Sequence, residues 1–128
     1  MLDQDVDALA GKIVRYRAAR AAAGFDPSSG QVTVMIHTFV GADERAIREE
    51  ARAPFCSYIS ENIGLLTGLA QSRGQPVDLA TLAPDDKAEF IDFLYERFAT
   101  SRGLIGTPES CLPLVQRLEA IGVNEIAC

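Results

Sequence analysis

The sequence predicts an α/β protein whose parallel strands are joined by long helical crossovers, and three observations carry that prediction. The stretch QVTVMIHTFV at 31–40 is β-branched and apolar on both faces, as strands are when a parallel sheet is covered on both sides. Two further strand candidates, Leu104-Ile105 and 123–128, are separated from it and from each other by helical stretches rather than tight turns, and parallel neighbours require such crossovers. The chain has 128 residues, a length that predicts a single domain spanning 1–128 with one buried core.

The elements follow in order. Val6, Leu9, Ala10, Ile13, Val14 and Ala21 recur near the helical period, which predicts a helix from Val6 to Ala23. Asp3 and Asp5 suit its N-terminus, arginines suit its second half, and Gly24 ends it. GFDPSSG is a loop of turn formers, and the strand at 31–40 then stops at Gly41. Asp43 is the predicted cap of a helix through ERAIREEARAPF, with Pro54 marking a bend or a new first turn and helix resuming as far as 70.

A polar linker, QSRGQPVD, spans 71–78. Pro84 opens the next helix at its first position, with a core stripe expected at Phe90, Phe93, Leu94 and Phe98. After the short strand Leu104-Ile105, a tight Gly106 leads to a helix capped by Thr107 with Pro108 behind it. Leu112, Val115, Leu118 and Ile121 are its expected core face, and Gly122 turns the chain into the last strand.

Composition excludes several function classes. Twelve basic residues stand against 18 acidic ones, for a net charge of −6. Nucleic acid and anionic membrane surfaces demand clustered Lys and Arg, so neither is an expected partner. No apolar run approaches the ~20 residues of a membrane span. Three widely spaced cysteines without a C-x-x-C pair, Cys56, Cys111 and Cys128, point to a reducing cytoplasm rather than a disulfide framework. A single histidine and no spaced carboxylate motif predict no metal site.

Three strands, the last of them a stub, are few for a sheet with sealed edges; exposed strand edges invite pairing. The order of elements resembles the end of a longer repeating βα protein. At the level of residues, GQVTVMIHTFVGADERAIREEARAPFCSYI followed by ERFATSRGLIGTPESCLPLVQRLEAIGVNEIAC resembles the luciferase-like flavin-dependent monooxygenases, and most closely the branch found with natural-product assembly lines. The resemblance runs over nearly all of the chain from Val6 on. IHTFVG together with GLIGTPESC and NEIAC is its specific part, because GTPE alone is a generic helix start.

That family folds as an eight-stranded β/α barrel. The resemblance therefore implies that the chain is a C-terminal fragment of a TIM-type (β/α)8 barrel. Its strands would correspond to six, seven and a truncated eight. It further implies reduced FMN and O2 acting on an organic substrate, a separate flavin reductase, and a site at the C-terminal ends of the strands.

The expected site residues are His37 in a catalytic role and Thr38, Gly106 and Thr107 in cofactor binding. His37 matches a strand-six histidine of the family, where a neutral imidazole relays or donates a proton. The alternative is a buried histidine satisfied by a backbone carbonyl. Thr38 contacts flavin or substrate, or else bonds the next loop. Gly106 and Thr107 offer N–H groups at a helix start, either as an anion site or as an ordinary cap. Arg102 reads as a solvated surface residue, and Cys56 and Cys111 read as packing residues.

Two functional readings stay open. One is a segment of an FMN-dependent monooxygenase. The other is a non-catalytic α/β module, or half of a split barrel, that pairs its open strand edges as a homodimer or with a complementing half-barrel.

Overall fold

The computed structural model describes residues 5–64, 67 and 81–128. The predicted linker at 71–78, and nearly all of the helix predicted beyond 64, lie outside the described residues. Helix α1 (Val6–Ala22) starts where Asp5 accepts a hydrogen bond from the Ala8 amide at 2.6 Å. It ends before Gly24, whose φ of +82° only glycine adopts without strain. The loop after it folds back onto α1: Asp26 accepts both the amide and hydroxyl of Ser28, and the Arg20 guanidinium lies over the Phe25 ring.

The predicted strand at 31–40 is two short strands, β1 (Thr33–Met35) and β2 (Thr38–Val40). The split has a pairing cause. Ile36 donates its N–H to Ala127 and Val32 accepts from Asn124, both at 2.9 Å, whereas the His37 carbonyl accepts from Leu104 and Gly41 donates to Gly106. In extended chain, alternate residues turn their backbone groups to opposite edges. The even set thus serves one neighbour and the odd set another, and the hand-over falls at Ile36-His37.

Asp43 caps α2 (Glu44–Glu61) by accepting from the Ala46 amide. Pro54 neither ends nor restarts this helix but sits inside it. Helix α3 (Pro84–Ser101) opens on Pro84 with Asp85 and Asp86 in its first turn, as expected. Strand β3 (Leu104–Gly106) leads into α4 (Pro108–Ala120), where Thr107 and Ser110 form a reciprocal capping box. Gly122, at φ +93°, turns the chain into β4 (Glu125–Ala127).

Both ladders are parallel, β1 with β4 and β2 with β3. The segment carrying β1 and β2 lies between β4 on one edge and β3 on the other. Consecutive barrel staves pair in chain order, with their crossover helices on one outer face. Here the first strand segment is central, and the crossovers cover opposite faces. Val34, Ile36 and Leu104 pack with Val6, Ile13, Cys111, Leu114 and Leu118 of α1 and α4. Ile105 packs with Phe55, Ile59, Leu94, Tyr95 and Phe98 of α2 and α3. With so few strands, the sheet's two faces are covered by the chain's own helices, the usual solution for a parallel sheet.

Packing corrects three expectations. In α3 the buried stripe is Ile91, Leu94, Tyr95, Phe98 and Ala99, while Phe93 is 59% exposed. Spacings of three and four share one side of a helix, and Phe93, two residues from both Ile91 and Tyr95, falls on the far side. In α4 the core residues are Cys111, Leu114 and Leu118, and Leu112 faces solvent. Arg102, read as a surface residue, is only 7% exposed. It lies at the α3–β3 junction, where its amide bonds the Phe98 carbonyl and caps the helix end.

Arg52 of α2 ties the two aromatic-face helices together. It pairs with Asp92 at 2.9 Å and with Glu96, and its guanidinium lies 4.6 Å from the Tyr95 ring centroid. The Tyr95 hydroxyl donates to the Arg48 carbonyl. Among the described residues, no helix is long and apolar enough to cross a membrane.

Candidate functional site

An open cleft of about 420 Å³ lies on the α2 side of the sheet, lined by His37, Thr38, Phe39, Glu50, Ala51, Pro54, Phe55, Tyr58 and Ile105. Its floor is the strand hand-over at His37 and its wall is one side of α2. The hand-over puts His37 there. Its backbone is held to β3 through the Leu104 amide, and its ring points to the face opposite Ile36.

The imidazole stands edge-on to three rings, with centroids 5.3 Å from Phe55, 5.4 Å from Tyr58 and 5.7 Å from Phe98. Burial pushes its pKa below the ordinary 6.5, so the ring is neutral at pH 7. Among the described residues neither ring nitrogen makes a hydrogen bond, so no backbone carbonyl satisfies it. One nitrogen of a neutral imidazole donates and the other accepts, and this one can offer both to a molecule in the cleft.

Thr38 lines the same cleft, and its hydroxyl donates to the Ile36 carbonyl at 3.1 Å. Gly106 and Thr107 do not line it; they sit at the far end of β3, under the start of α2. There the Glu44 carboxylate accepts from the Thr107 amide at 3.4 Å while also pairing with Arg48. Those contacts, the Ser110 hydroxyl first among them, hold its pKa below the ordinary carboxylate value. The start of α4 therefore faces a carboxylate of the chain itself. Gly106 has φ +153°, and a Cβ there would come within 3.0 Å of that carboxylate, so the position favours glycine for close approach.

The cysteines stand apart from this chemistry. Burial raises the pKa of both Cys56 and Cys111, and Asp92 adds to the effect at Cys56. Both remain thiols at neutral pH.

Phe39, Phe55, Tyr58 and Glu50 were not anticipated as cleft residues. The available signal was in α2, where Ala51, Phe55 and Tyr58 follow the helical period and Glu50 lies one turn before the internal proline.

The molecule is a parallel α/β sheet with an apolar cleft over one face, floored by a neutral histidine. The particular family is shown by sequence: a match to the luciferase-like monooxygenases spans residues 2–125, and the chain belongs to that family. A comparison with curated proteins finds no match.

Luciferase-like monooxygenases generally use reduced flavin, and the cleft fits that group in part. Its aromatic and aliphatic walls suit a ring system, and His37 offers ring-nitrogen contacts. A phosphate does not fit the described lining: among the described residues no Lys or Arg lines the cleft, its histidine is neutral, and Glu50 contributes a carboxylate.

Proposed function

We propose that the chain serves an FMN-dependent monooxygenase acting with O2 on a natural-product substrate, and that the His37 cleft holds that organic substrate beside the flavin ring. On this reading β1/β2, β3 and β4 follow the chain order of strands six, seven and eight of the family's barrel, while their pairing differs from it, with β1/β2 and not β3 in the centre. The observation that carries the proposal is a neutral imidazole, without a ring hydrogen bond among the described residues, in the floor of an aromatic cleft in a member of a monooxygenase family.

The chain's residues have simple roles. Phe39, Phe55 and Tyr58 exclude water and hold an apolar body. His37 holds or passes a proton at a ring nitrogen. Thr38 keeps the hand-over in shape through its bond to Ile36. The reduced flavin supplies the oxygen-activating chemistry when bound. Its phosphate needs cations from outside the cleft, which we assign to a second copy or a complementing half-barrel.

An anaerobic calorimetric titration of the chain with reduced FMN, with His37→Ala alongside, tests this. The expected result is saturable one-site binding that weakens in the variant. No heat up to about millimolar flavin, the weak limit of a specific site, counts against it.

A further inference from the structure

We propose that the organic molecule taken by this cleft is an amine, bound as its ammonium with an apolar or aromatic body. This deepens the proposed function and rests on it. Four features of α2 and its surroundings point to a cation.

First, Glu50 at the cleft has no ion-pair partner among the described residues. The arginines of the same helix are engaged elsewhere: Arg45 with Glu49, Arg48 with Glu44, and Arg52 with Asp92 and Glu96. Among the described residues two carboxylates of this helix, Glu50 and Glu61, have no ion pair; Glu61 accepts from the Ser57 hydroxyl, and Glu50 is the one that lines the cleft.

Second, Pro54 lies four residues after Glu50 inside the helix and has no N–H for the Glu50 carbonyl. Both residues line the cleft. The same turn therefore presents a negative side chain together with a backbone acceptor that lacks its normal helical donor. An ammonium N–H can donate to acceptors of this kind, whereas a carboxylate or phosphate cannot.

Third, Phe39, Phe55 and Tyr58 supply aromatic rings around the same space, and ring faces attract cations. Fourth, His37 is held neutral by burial, so the floor adds no opposing charge. A net charge of −6 favours the approach of a cation from a distance. A volume of about 420 Å³ suits a small drug-sized molecule rather than a polymer.

The test is an NMR titration of the full 128-residue chain with three probes of matched size: 2-phenylethylamine, the neutral 2-phenylethanol and the anionic 3-phenylpropionate. The expected order is amine, then alcohol, then carboxylate, with shifts at the Phe39 and Tyr58 amides. Glu50→Gln should weaken the amine about threefold to fivefold and leave the alcohol unchanged. Glu50 is exposed, so the variant keeps the fold.

Equal affinity for amine and alcohol, preference for the carboxylate, or an amine affinity indifferent to Glu50→Gln overturns the amine assignment and leaves the flavin reading standing. Failure of all three probes overturns the amine assignment too; reduced FMN failing alongside them overturns both readings.

Discussion

The two faces of the sheet are built from different residues and do different work. The face covered by α1 and α4 is aliphatic, with Val34, Ile36, Leu104, Leu114 and Leu118 packed around one thiol, Cys111. The face covered by α2 and α3 is aromatic, with Phe55, Tyr95 and Phe98 beside His37; among the described residues it keeps Met35 70% exposed, and Phe39 rims the cleft. Aliphatic side chains fill space without polar demands. Aromatic ones leave larger gaps between rigid plates and give a neutral histidine somewhere to stand. The closed face holds the fold together, and the aromatic face carries the cleft.

The comparison is broken most severely by Leu118→Ala. Leu118 is wholly buried on the aliphatic face, and its truncation should cost about 2–5 kcal/mol, read as a lower urea midpoint with an unchanged slope. Cleft binding in the protein that remains folded should not change. A loss of less than about 1 kcal/mol would mean that this face does not carry the stability.

Tyr95→Phe sharpens the contrast within the aromatic face. It removes the hydroxyl bond to the Arg48 carbonyl that joins α3 to α2. A loss of about 1 kcal/mol is expected, with cleft binding weakened because the wall moves. Equal stability in thermal melts of the two proteins would show that the hydroxyl bond adds nothing net.

The acid side separates the faces by pH. His37 has a folded pKa below 6.5 because burial disfavours its charged form. The unfolded chain therefore binds the proton more readily, and stability falls as pH drops below about 6.5 toward the depressed value. Glu44 is also depressed, through its contacts with Ser110 and Thr107, and that stabilisation is lost lower, as pH falls below 4.5. Melting temperature followed against pH should show two steps, and His37→Gln should abolish the upper one. A profile flat around pH 6.5 would rule out a neutral, buried imidazole.

The smallest effect is expected at Met35→Thr on the aromatic face. Met35 is largely exposed, so stability should stay within about 0.5 kcal/mol. A larger loss would show that a contact of Met35 contributes to stability.

Much of the local structure was legible because local rules govern it. Asp43 and Thr107 cap their helices where sequence placed them, Asp5 of the two N-terminal aspartates expected there caps α1, Pro84 and Pro108 open theirs, and Gly24 and Gly122 turn out of theirs. Parallel pairing was legible too, because strands separated by helices have no short route to an antiparallel partner. His37 could be singled out as the one histidine in an apolar strand.

What only the tertiary structure decided is which neighbour each element meets. The split of 31–40 depends on β4 and β3 taking opposite edges of one segment, and no local preference in the chain records that choice. Burial of Tyr95 rather than Phe93, and of Leu114 rather than Leu112, follows from how far each helix is rotated against the sheet. The cleft exists because a proline-containing helix and a strand hand-over, distant in purpose along the sequence, face each other across one gap. Composition and period fix which residues can form a helix or a strand, whereas burial, charge and the free acceptors of a site arise from surfaces that meet only once the chain is folded.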